Sequence, residues 1–284
     1  MLHLLTTITV GAQPNALAVA NGDLYVANFG TNTVSVINPT TNAVIATITV
    51  GTGPGGITTA TNGDLYVSNT SANDVSVINP TTNAVIATIT VGSSPGGSAV
   101  TSTGDVYVAN HNGGSVSVID PTTNTVITTV GVGSNPSQAA YVPNGDVYVT
   151  NPSNSNVSVI NPTNNTVIAT ISVAGTPASL VSATNGNVYV ADTSGGVVSE
   201  INSTTNTVIA TIGGFSFPFG LGASSNGIVY IANAGNSTVS ALNSAVNAVF
   251  STVTVGTAPG GVQVLGDYIY VANTGNGTVS VLGY

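Results

Sequence analysis

A tyrosine-led tetrapeptide recurs seven times along this chain, and its spacing leaves few folds open. It stands at Tyr25-Val26-Ala27-Asn28, Tyr66-Val67-Ser68-Asn69, Tyr107-Val108-Ala109-Asn110 and Tyr148-Val149-Thr150-Asn151. It returns at Tyr189-Val190-Ala191-Asp192, Tyr230-Ile231-Ala232-Asn233 and Tyr270-Val271-Ala272-Asn273. The tyrosines are 41, 41, 41, 41, 41 and 40 residues apart. A period near 40 residues, carried only by strand signals, belongs to a four-stranded propeller blade. Within 51–91, Gly56 to Ala60 reads as an innermost strand a. Asn62-Gly63-Asp64 reads as a hairpin turn, because Asn-Gly tolerates positive φ. Leu65 to Asn69 reads as strand b, Val75 to Ile78 as strand c, and Ala84 to Val91, rich in Val, Ile and Thr, as strand d. No apolar period of 3.6 residues persists between turn signals, so no helix is expected. The expectation is an all-β fold, a seven-bladed β-propeller of four-stranded blades, forming one domain over 1–284.

A propeller must also close. The chain opens with Leu4-Leu5-Thr6-Thr7-Ile8-Thr9-Val10, which matches the d strand Val44 to Val50. It ends at Val279 to Tyr284, which matches a c strand with no d strand after it. The N-terminal strand is therefore expected to complete the last blade, removing an open edge and leaving no blade missing.

Charge excludes several functions. The chain has no Lys and no Arg, against nine Asp plus Glu and two His, for a formal charge of -9. Nucleic-acid binding neutralises phosphates with Lys and Arg, and basic clusters dock proteins on anionic membranes; neither is expected here. A Gly-x-x-x-x-Gly-Lys phosphate loop is excluded by the same absence. Ion pairs are nearly ruled out, so stability rests on apolar burial and backbone hydrogen bonds. Such a fold loses little when its carboxylates protonate, which suits an acidic habitat. There is no Cys, hence no disulfide and no thiolate chemistry. No apolar run approaches the roughly 18 residues of a membrane span. The N-terminus Met1-Leu2-His3-Leu4-Leu5 lacks the basic and apolar regions of a standard signal peptide.

The seven tetrapeptides, one of them Tyr148-Val149-Thr150-Asn151, and the element running from Val116 to Asn124 resemble the YVTN β-propeller repeat family of archaeal surface-layer and bacterial envelope proteins. The resemblance covers essentially the whole chain. It implies a propeller fold and an extracellular or cell-surface setting, in structure or adhesion, with no single shared chemistry.

Six features bear on a site. Asp23, Asp64, Asp105, Asp146 and Asp267 share the a–b turn of five blades, while Asn187 and Ile228 break the series. They read as turn residues rather than a cation-binding rim. His111 is the only His in the propeller body and reads as a solvated loop residue. Seven-bladed streptogramin lyases are similar in architecture and use His chemistry beside a metal-binding acid. One His and one Glu, Glu200, do not make that constellation, and no metal site or cofactor is expected. The segment Gly213 to Gly220 departs most from the repeat and gathers three of the five Phe residues, Phe215, Phe217 and Phe219. It is the leading ligand-site candidate, since aromatic rings in a polar loop stack on a sugar or anchor a partner. Asn-x-Ser/Thr sequons stand at Asn69, Asn156, Asn164, Asn202, Asn236 and Asn276, all expected in loops or at strand ends accessible to a glycan.

The sixth feature is the outer edge. Each d strand, such as Thr47 to Val50, is uncharged, whereas natural sheet edges are often guarded by Lys. The leading reading is a non-catalytic structural or adhesive module whose rims self-associate or meet other surface proteins or glycans. The alternative is a carbohydrate- or ligand-binding propeller using 215–219, and the remote alternative is a lyase-type enzyme. The near-identity of Val75 to Val91 with Val34 to Val50 also fits a consensus-like or designed repeat.

Overall fold

The computed structural model describes residues Met1–Tyr284. Seven four-stranded antiparallel sheets form a seven-bladed propeller, and the only helical elements are two single turns, His111–Gly113 and Pro152–Asn154. Blade 1 comprises strand a Pro14–Ala20, strand b Asp23–Asn28, strand c Thr33–Asn38 and strand d Ala43–Thr49. The other blades follow the same order, each meandering outward from the axis. Closure is as expected: His3–Thr9 pairs antiparallel with Thr278–Gly283 and supplies the d strand of blade 7.

The strand boundaries differ slightly from the sequence reading. In blade 2, strand a spans Pro54–Thr59, two residues earlier than expected. Proline is tolerated there because strand a lines the axis, with no neighbour on its inner edge to receive a backbone N–H. Prolines 14, 54, 95, 136, 177, 218 and 259 recur at this place in every blade.

The core lies between blades. Strands b and c bury nearly every side chain; in the d strands of five blades only the sixth residue, such as Ile48 or Ile89, is buried. All seven repeat tyrosines are 2% exposed or less. The hydroxyls of six of them latch one blade to the next. Tyr25 donates to Asn83 Oδ1 at 3.0 Å, Tyr66 to Asn124 at 2.6 Å and Tyr107 to Asn165 at 2.5 Å, while Tyr148 bonds Asn206. Burial, reinforced by the aspartate two residues upstream, pushes the phenols of Tyr25, Tyr66 and Tyr107 up to about 12.

The tetrapeptide asparagine is equally specific. Asn28, Asn110, Asn151, Asn233 and Asn273 bury their amides and donate to side chains five and seven residues downstream, as Asn28 does to Thr33 and Ser35. In five blades a glycine covers this amide: a Cβ on Gly92 would stand 2.5 Å from Asn110 Cγ. The Val-Gly pair before strand a and the asparagine ending strand b are thus one packing unit.

Candidate functional site

The d–a and b–c loops share one face of the disc. Within each blade they are stitched together, as by Phe29 N–H to Gln13 O at 3.0 Å and His111 N–H to Ser94 O at 2.9 Å. On this face the seven a strands enclose a funnel of about 400 Å³. Phe29 and His111 stand at its mouth, Asn15, Phe219 and Gln138 line the neck, and an aliphatic ring including Leu17, Ile57 and Leu221 follows further along the a strands.

Glycines make the neck possible. A Cβ on Gly56 would sit 2.3 Å from Gly96 O, and one on Gly97 would overlap the Gln138 side chain. The amides are held by their own backbone contacts. Asn15 Nδ2 donates to Gly55 O at 2.7 Å, and Gln138 Nε2 to Ala139 O at 3.2 Å. His111 is the only titratable side chain lining the funnel.

The Phe-rich segment is not the single aromatic loop expected from the sequence. Phe215 is buried with Ala191, Val198 and Leu221. Gly214, at φ +97°, bulges the chain, so the Phe215 N–H bonds Gly196 O just as Val255 N–H bonds Ser237 O in blade 6. Phe215 therefore takes the core slot that valine fills elsewhere and cannot contact a ligand. Phe217 is 53% exposed and lies outside the funnel lining. Phe219 lines the funnel. Sequence reading missed Phe29, Asn15 and Gln138. Phe29 and His111 both directly follow the repeat asparagine, and that shared offset was the available signal.

Glu200 and His111 lie at opposite faces and form no pair. Glu200, in strand c of blade 5, replaces a residue that is valine in five of the other blades. Its carboxylate is buried and accepts from Tyr189 Oη at 2.9 Å, Asn187 Nδ2 at 2.6 Å and Asn247 Nδ2 at 2.6 Å. It serves the latch between blades 5 and 6. Asp192, which replaces the repeat asparagine, is also buried. Ser199 donates to its Oδ2 at 2.6 Å, and its Oδ1 has no partner. Burial pushes this carboxyl up to about 7, with Ser199 offsetting part of the rise.

Three of the turn aspartates accept within their own hairpins: Asp64 from Asn62 Nδ2 and Asp146 from Asn144 Nδ2, both at 3.1 Å, and Asp105 from Thr103 Oγ1 at 3.3 Å. No three His, Asp or Glu side chains converge in a way that could hold a metal. Among the sequons, Asn69 is not an accessible site. It is fully buried, and its Nδ2 donates to Asp74 and Ser76 at 2.7 and 2.8 Å, because it is a repeat asparagine. Asn164, Asn236 and Asn276 are exposed and Asn156 and Asn202 half-buried, and all five use only Oδ1 within the protein.

A second cavity, about 530 Å³, opens on the opposite face at the seam of blades 7 and 1, lined by Tyr270, Asn42, Pro39 and Leu265. Here the latch is unmade: Tyr270 Oη and Asn42 Oδ1 are both buried without a partner. Three a–b turns bridge to the next blade through Asn62, Asn144 and Asn185. The blade 7 turn, between Leu265 and Tyr268, is shorter and carries no asparagine.

The outer rim carries a repeated pattern. In six blades two adjacent apolar side chains protrude from the d strand, as Val44 and Ile45 do (38% and 53% exposed), with equivalents from Leu4 and Leu5 to Val249 and Phe250; in blade 3 only Ile127 protrudes, and Val126 packs against the core. His3 is the only ionisable side chain on any d strand.

No protein-family model matches the chain. A segment of 55 residues is 51% identical to the PE-PGRS family protein PE_PGRS18 of Mycobacterium tuberculosis, covering 18% of this chain and only 12% of that protein. Among solved structures, Kuenenia stuttgartiensis hydrazine synthase aligns at TM-score 0.88 and 18% identity, over 98% of this chain and 97% of that one. Virginiamycin B lyase from Staphylococcus aureus aligns at 0.88 and 15%, over 100% and 99%. A catalytically inactive histidine variant of that lyase with quinupristin aligns at 0.88 and 16%, over 100% and 99%. At these identities the likeness is one of fold alone.

Proposed function

We propose that this chain is a non-catalytic, extracellular structural or adhesive module of a cell surface, layer or filament, a rigid disc that works by presenting its rim. One observation carries the reading: the belt of apolar side chains that protrudes from the d strands, paired in six blades and single in blade 3. A monomer rarely exposes a contiguous apolar surface of more than a few hundred Å². The belt is flanked by unpaired strand edges without the charges that normally guard them. Like-charged copies, each at -9 with no Lys or Arg, repel through their acidic turns and meet at the rim, which carries no carboxylate, with least electrostatic cost. The resemblance of the repeats to envelope propellers supports the same setting.

Light scattering after size exclusion, at pH 3 and pH 7, tests it. The unglycosylated chain is expected to form species well above 27.8 kDa at one pH or both. A combined Ile45→Lys, Ile86→Lys, Ile168→Lys and Ile209→Lys variant is expected to stay monomeric. A monomer at both pH values and high concentration refutes the reading.

A lyase is the competing reading, raised by the likeness to virginiamycin B lyase. Of the titratable side chains, only His111 lines the funnel, so acid–base work there would fall to one imidazole. Streptogramin turnover that disappears in His111→Ala would replace the structural reading.

A further inference from the structure

We propose that the axial funnel is a binding site for a neutral mono- or disaccharide. Four features of the lining lead there. The first is size: about 400 Å³ lies at the low end of small-molecule pockets, which span about 300–1,000 Å³.

The second is charge. The funnel has no carboxylate to hold a metal ion and no Lys or Arg to hold an anion. The surrounding protein is at -9 and repels anions. An anion or a bare metal ion finds nothing here to hold it.

The third is hydrogen-bond polarity. A backbone carbonyl only accepts, so the amide atom facing Gly55 O on Asn15, and facing Ala139 O on Gln138, is the nitrogen. Asn15 Oδ1 and Gln138 Oε1 are left without a protein donor. These two accepting oxygens call for a ligand rich in hydroxyl donors.

The fourth is the rings. Phe29 and Phe219 both line the funnel and are 38% and 36% exposed. Each departs from its repeat: Phe29 stands where other blades place Thr, His, Pro or Ala, and Phe219 where they place Asn, Gly, Ser or Ala. A pyranose offers both hydroxyls for the neck and an apolar C–H face for these rings. An extended peptide donates from one N–H per residue and spreads its donors beyond the funnel.

This inference goes beyond the rim assembly and is measured separately from it, on the monomeric belt variant as well as the wild type. Saturation-transfer NMR and calorimetry would use methyl glycosides of glucose, galactose and mannose and N-acetylglucosamine. Glucuronate and a neutral Ser-Gly-Ala peptide serve as controls. At least one neutral sugar is expected to bind saturably. Phe219→Ala and Gln138→Ala should each weaken it about tenfold or more, and Phe217→Ala, outside the funnel, should leave it unchanged. Melting curves verify that the variants fold; if Gln138→Ala does not, Phe29→Ser replaces it. Failure of every sugar to saturate refutes the proposal. So does sugar binding indifferent to both funnel substitutions, equal binding of glucuronate, or binding of the peptide alone.

Discussion

Replacing Asp192 by asparagine is expected to make the protein less sensitive to neutral pH. Six blades place an asparagine there, and its amide donates within the blade; blade 5 places a buried carboxyl with one donor, Ser199, and an unpartnered Oδ1. Val197 stands where Thr33 or Thr238 offers a second partner in other blades. Burial raises the folded-state pKa from the ordinary 3.8 to about 7. Below pH 3.8 both folded and unfolded chains hold the proton, and the group costs nothing. Between about 4 and 7 the unfolded chain releases it while the folded chain keeps it, so stability falls as pH rises; above 7 the loss is complete. At 1.36 kcal/mol per pH unit the gap corresponds to roughly 4 kcal/mol, and about 2–4 kcal/mol after local relaxation. Each kcal/mol moves the melting temperature of a chain this size by about 1.5–2 °C. Asp192→Asn should therefore melt within about 1 °C of wild type at pH 3, where ~0.5 kcal/mol separates ordinary conservative changes. At pH 8 it should melt about 3–8 °C higher. Differential scanning calorimetry from pH 3 to pH 8 reads the difference directly, and shifts common to both proteins, such as those of Asp64 and Asp146, cancel. A constant difference across that range, or a lower melting point for the variant at pH 8, refutes the argument.

Two further predictions follow from the interblade packing. Tyr107→Phe removes a hydroxyl bonded to Asn165 at 2.5 Å and should cost about 1–1.5 kcal/mol, whereas Tyr270→Phe removes an unpartnered buried hydroxyl and should be neutral or stabilising; chemical denaturation of the pair checks the contrast, and equal losses would contradict an open seam. Gly92→Ala drives a Cβ to 2.5 Å from Asn110 Cγ and should cost about 2–3 kcal/mol, more than Gly63→Ala at φ +89° with nothing within 4 Å, which should cost about 1 kcal/mol; thermal melts rank the two.

The blades were legible because one local pattern had to satisfy the fold seven times. Tyr-Val-x-Asn, the glycine before strand a and the proline at its start each answer a requirement that recurs: a latch, a covered amide, an unpaired inner edge. What eluded local reading was where such a requirement changed quietly. Asp192 reads as a conservative ending to strand b, yet it buries a carboxyl. Asn69 reads as a sequon, yet its place in the tetrapeptide means its amide is buried and already committed. Phe215 reads as a loop aromatic, yet the positive φ at Gly214 returns it to the core.

The funnel was illegible for a different reason. Phe29, His111, Gln138 and Phe219 are far apart in the chain, and no local motif joins them. They meet because strand a and the start of the b–c loop face the axis in every blade. In a repeat fold the positions that define the scaffold are those that stay constant, and a site can be built only from positions that vary without disturbing it. At the mouth, the residue after the repeat asparagine is Phe29, Thr70, His111, Pro152, Thr193, Ala234 or Thr274, while the tyrosine beneath it never changes. That contrast separates the residues that hold the disc together from those free to choose a ligand. It also explains why a substitution such as Phe219→Ala should reach the ligand without reaching the fold.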